Sequence, residues 1–84
     1  MSITVTIDLN KMDRIPDVDC YNNIHYSCKN TGMILLLKYH DDINHVDIMV
    51  KREERYTDYD WIGSVCDYEV DKGVFSFIYG DLWT

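Results

Sequence analysis

The sequence predicts an all-β, or at least β-dominated, domain: a single small antiparallel sheet of about five to six strands, curled or barrel-like, built from meander hairpins with at most one short helix. Three observations carry this. The chain contains no Ala, and its 46% hydrophobic content comes largely from Ile, Val, Leu and seven Tyr, residues that suit a pleated surface better than a helical bundle. Residues 2–9, SITVTIDL, alternate apolar and polar without exception. Later apolar runs are separated by short turn signals containing Gly, Asn or Asp, the punctuation of hairpins.

The elements follow in order. Ile3, Val5, Ile7 and Leu9 share one face and Ser2, Thr4, Thr6 and Asp8 the other, which is a strand half-exposed to water. Residues 10–23 hold no period and contain the only proline, so they read as a surface connection with at most one helical turn. IHYSC (24–28) and MILLLKYH (33–40) flank Lys29-Asn30-Thr31-Gly32, a hairpin whose Gly32 is free to take the left-handed conformation such a loop needs. The run Met33–Leu37 is apolar on both faces, which predicts a central strand covered on each side, with residues 10–23 as the candidate cover.

Asp41 to Asn44 then turns the chain into HVDIMVKR, where Val46, Ile48 and Val50 alternate with Asp47, Met49 and Lys51. The charged stretch KREERYTDYD reads as the end of this strand followed by a loop. WIGSVCDYEV (61–70), the turn Asp71-Lys72-Gly73 and VFSFIYG (74–80) read as a last hairpin, with Ile62, Cys66, Tyr68 and Val70 on one face. No internal repeat or linker interrupts the 84 residues, so residues 1–84 are expected to form one domain around a single thin core.

Charge narrows the partners. Fifteen acids against eight bases give a net charge of −7, which opposes direct binding to nucleic acid or an anionic membrane and favours basic partners. The imbalance is uneven: residues 1–55 hold nine acids and seven bases, residues 56–84 six acids and one base. Three cysteines without framework spacing, no glycosylation sequon and no leader-like N-terminus point to a reducing, cytoplasmic setting. The longest apolar run has five residues, Met33–Leu37, far short of the roughly 20 that span a bilayer.

The stretch RYTDYDWIGSVCDYEVD (55–71) supplies the candidate partner-binding residues: Asp58, Tyr59, Asp60, Trp61, Asp67, Tyr68, Glu69 and Asp71. Carboxylates attract Lys and Arg, while Tyr and Trp bury large areas at low entropic cost and accept Arg on the ring face. On a strand, Asp67, Glu69 and Asp71 would form one row spaced roughly 7 Å apart. That is half the linear charge density of a phosphate backbone, so mimicry of nucleic acid needs a second row, for which Asp41, Asp42 and Asp81 are candidates. The same acids also serve to keep an exposed strand from pairing with copies of itself.

No motif specifies a reaction. There is no phosphate-cradling loop or nucleophile elbow, and neither Ser64 nor Cys66 has a His at relay spacing, so an enzyme is not expected and no cofactor is implied. Cys20, His25 and Cys28 are not spaced as zinc knuckles, whereas His40 and His45 flank a short turn as a conceivable weak metal or pH-sensitive pair. Lys51, Arg52 and Arg55 enclose Glu53 and Glu54, the pattern of internal charge compensation.

The function these features predict is that of a small acidic binding protein. It would act as a stoichiometric inhibitor of a basic, nucleic-acid-handling protein such as a nuclease, by occluding its substrate groove. Phage proteins that disarm host nucleases (anti-CRISPR proteins among them) and immunity proteins that neutralise nuclease toxins share this general character. The alternative is a structural or adaptor subunit that self-associates through a sheet edge.

Overall fold

The computed structural model describes residues 2–16, 20, 22–40, 44–53 and 57–80. In chain order its strands are β1 (Thr4–Asp8), β2 (Met12–Arg14), β3 (Asn23–Cys28), β4 (Ile34–Tyr39), β5 (His45–Lys51), β6 (Asp60–Cys66) and β7 (Val74–Ile78). A 3-10 turn, Leu9–Lys11, follows β1, and one short helix, α1 (Asp67–Asp71), lies between β6 and β7. The β-dominated class is the one the sequence predicts, but the strands form two sheets and neither closes into a barrel. Strands β2 to β6 make an antiparallel meander in chain order, while β1 and β7 pair as a separate antiparallel ribbon.

Local chemistry places the β3–β4 hairpin as expected. Gly32 has a φ of 76°, its N–H donates to the Cys28 carbonyl and the Cys28 N–H donates to that of Met33. In β4, Leu35 and Leu37 join the main core with exposures of 0% and 1%. Ile34 and Leu36 face the other way and are also buried. Of the residues expected to cover that second face, Met12–Arg14 extend the sheet as an edge strand beside β3, and residues 17–19 and 21 lie outside the described residues. Tyr59, just before β6, leans on that face, its ring 6.3 Å from that of His25, the register partner of Leu36.

The main core lies between the five-stranded sheet and the ribbon. Ile7, Phe75 and Phe77 of the ribbon meet Leu35, Leu37, Val46, Ile48 and Val65 of the sheet. Gly63 permits this approach, because a Cβ there would stand 2.4 Å from Cδ2 of the Phe77 ring. The register of β5 and β6 slips between Ile48 and Met49, with Ile48 opposite Gly63 and Met49 opposite Trp61. Ile62 is thus the extra residue of a bulge, which bends the strand and adds twist.

The expected hairpin of residues 61–80 does not form. β6 ends at Cys66, α1 turns the chain off the sheet, and β7 pairs with β1. The spacing Cys66, Tyr68, Val70 satisfies a strand, but Cys66 and Val70 are also i, i+4 on a helix, and so short a run cannot be separated by periodicity alone. Burial of Val70 decides for the helix by anchoring it to the core. Asp67 and Glu69 sit in its first turn, where negative charge is favoured.

Candidate functional site

β6 divides the candidate residues into two groups. Asp58, Tyr59, Asp60 and Trp61 lie at its start, and Asp67, Tyr68, Glu69 and Asp71 lie on α1 after its end. The strand has seven residues, so the groups are about 20 Å apart. Asp67, Glu69 and Asp71 do not form the expected row, because in α1 Glu69 points about 200° away from Asp67 while Asp71 returns to the same side. Glu69 meets Lys72 at 3.2 Å. Asp41, Asp42, Asp81, Arg55 and Tyr56 lie outside the described residues.

At the start of β6, Asp58 and Asp60 are exposed and Tyr59 is half-buried. The Lys51 ammonium sits 5.0 Å from the Tyr59 ring centroid, and burial raises the Tyr59 hydroxyl above its usual pKa. A shallow groove beside them is lined by Lys51, Arg52, Thr57, Asp58 and Asp60, so both charge signs meet there, as the compensation reading of the basic cluster expects. On α1, Tyr68 is 58% exposed, with Lys72 5.8 Å from its ring centroid.

Two residues escape the sequence reading. Ile3 is 61% exposed and Tyr79 52%, and they sit side by side, the Tyr79 N–H donating to the Ile3 carbonyl at 2.8 Å. The next residue, Gly80, donates to the Ile62 carbonyl at 2.8 Å, which places this apolar pair close to Asp60. Alternation puts Ile3 on the same face as Val5 and Ile7, but unlike them it is not part of the core.

Trp61 has a different role from its neighbours. Its indole N–H donates to Asp47 Oδ1 at 3.3 Å, the Ser64 hydroxyl donates to the same oxygen at 2.8 Å, and His40 Nε2 lies 2.7 Å from Oδ2. Burial works to raise the Asp47 carboxyl, but the three hydrogen bonds and the charge of His40 outweigh it and hold the pKa below the ordinary Asp value. Ser64 therefore donates to a carboxylate and not to an imidazole, which is not the arrangement that activates a nucleophile. His40 spends its ring on Asp47, and among the described residues no three His, Cys, Asp or Glu side chains converge as metal ligands. The cluster ties β5 and β6 to the residue that follows β4, on the sheet face opposite the main core.

Among the described residues no helix is long and apolar enough to cross a membrane. Comparisons with family models, curated proteins and solved structures find no match to this chain, and the reading of its function rests on the surface just described.

Proposed function

We propose that the protein acts by binding: it is an acidic inhibitor that occupies the groove of a basic, nucleic-acid-handling protein. The observation that supports this reading best is the occurrence of acids beside exposed aromatic or apolar side chains at both ends of β6. Exposed Asp58 and Asp60 precede Ile62, whose carbonyl meets Gly80 next to exposed Tyr79, and half-buried Asp67 and exposed Asp71 flank exposed Tyr68. Carboxylates speed encounter with a basic surface, and rings supply the desolvated contacts that hold it. Steric occlusion of a substrate site follows from seating such a surface in a groove built for phosphates, as phage anti-defence proteins and nuclease immunity proteins do.

Affinity capture from lysate at low and high salt tests the reading. Capture of a basic nuclease or polymerase at low salt, weakened at high salt and at least 10-fold weaker with Asp58, Asp60, Asp67 and Glu69 all changed to Lys, is the expected result. Capture unchanged by the four substitutions removes these residues from the interface. A second reading, a subunit that self-associates through a sheet edge, is favoured by the position of β6 at the end of the strand order. It predicts a stable oligomer of the isolated chain, read as solution mass across a concentration series.

A further inference from the structure

β1 carries a free strand edge. The bonds from Leu9 to Gly73 and from Tyr79 to Ile3, taken with the β1–β7 register, set the odd residues of β1 toward β7 and leave Thr4, Thr6 and Asp8 directing their N–H and C=O groups outward. Among the described residues no strand besides β7 runs alongside β1. Native edge strands are commonly blunted by Lys, Pro or a bulge. TVTID has none of these, its register with β7 is regular, and Thr4 and Thr6 are exposed.

The fold sets this edge at the end of the molecule where the core is open. The other edge of β7 faces residues 64–66, the half of β6 next to α1. β1 therefore lies on the opposite side of β7, toward the end of the large sheet where β4 and β6 begin and β5 finishes. At that end Thr31, Met33, Val50, Lys51, Arg52 and Asp60 line a mainly apolar groove of about 370 Å³. Val50 lines the groove and also packs on the core, as Val5 and Leu9 of the β1 segment do. Ile3, just before β1, is 61% exposed. An open backbone edge and an apolar floor thus share one end of the molecule.

We infer that an extended segment of a partner polypeptide pairs antiparallel with β1, its inward side chains covering Ile3 and the groove floor and a Lys or Arg lying across from Asp8. A row of unpaired N–H and C=O groups accepts extended backbone, and pockets beside it select alternate side chains. Residues opposite Ile3, Val5 and Ile7 turn inward and are apolar, whereas those opposite Thr4, Thr6 and Asp8 turn to solvent. Asp8 is the one charged residue of β1, so charge complementarity places a base across from it. A second copy of the chain fits less well. Two-fold pairing of β1 about Thr6 sets Thr4 across from Asp8, gives neither carboxylate a base and brings together two chains of net charge −7. The inference rests on the proposed binding function and specifies how the partner is held.

Displayed random nine-residue peptides, selected on the full chain and synthesised as their consensus, test it. The expected consensus has one Lys or Arg followed by apolar residues at alternate positions, and the bound peptide slows amide exchange at Thr4, Thr6 and Asp8. N-methylation of the peptide residue opposite Thr6 weakens binding about 10-fold and Met33→Ala about 5-fold. Asp8→Lys moves the preference at the facing position from a basic to an acidic residue. No enrichment, protection confined to other segments, or indifference to N-methylation or to Met33→Ala overturns the proposal. Slow exchange of the Thr4 and Thr6 amides before any peptide is added overturns it too. Lost on dilution, that protection assigns the edge to a second copy; lost on removal of residues 81–84, to the chain's own C-terminal segment. If lysate capture is lost on charge reversal yet persists with saturating peptide, the binding function stands and strand addition falls.

Discussion

Asp47 accepts hydrogen bonds from Trp61, Ser64 and His40, and its substitution leaves donors on β6 and just after β4 without their acceptor. Asp47→Ala should lower stability by about 2 kcal/mol, the scale of losing a hydrogen-bonded charge, read from the denaturant midpoint at neutral pH. The sign of the acid response follows from the depressed folded pKa. The carboxylate's contribution is full above the unfolded value of about 3.9 and is lost as pH falls through the lower folded value. Wild type should therefore lose stability below about pH 4 more steeply than Asp47→Ala, and identical acid slopes would count against this role. Alternation in HVDIMVKR already placed Asp47 on the face away from Val46 and Ile48. Its partners were not legible, because residues 40 and 64 meet it only through the register of three strands.

At the scale of elements, a two-stranded ribbon is marginal alone and depends on its packing. Gly63→Ala tests that dependence, since the added Cβ collides with the buried Phe77 ring. It should cost about 1–3 kcal/mol and speed amide exchange in β1 and β7 while β3 to β5 keep their protection. Uniform loss across both sheets would show that the ribbon is not the unit that yields. The hairpin at residues 29–32 was legible because turn residues act locally. The β1–β7 pairing joins residues about 70 apart and leaves no local trace. The α1 misreading has another cause: in five residues, strand and helix periods fit the same apolar positions, and only the burial of Val70 separates them.

For the whole molecule, net charge fixed the expected partner class, and the uneven distribution pointed to the last third of the chain. The structure distributes that charge differently from the row first expected, placing acids at both ends of β6, which is an edge strand among the described residues. The residue identities of this surface were readable in RYTDYDWIGSVCDYEVD, whereas its division into two groups, and the contribution of Ile3 and Tyr79, needed the helix and the β1–β7 pairing. A surface that acts by filling a phosphate-binding groove competes with nucleic acid for the captured partner. The direct measurement is partner affinity for this protein across a titration of the DNA or RNA that the partner handles. The account predicts mutual displacement, with apparent affinity falling in proportion to nucleic acid above its dissociation constant; a ternary complex, with affinity unchanged at saturating nucleic acid, would contradict it.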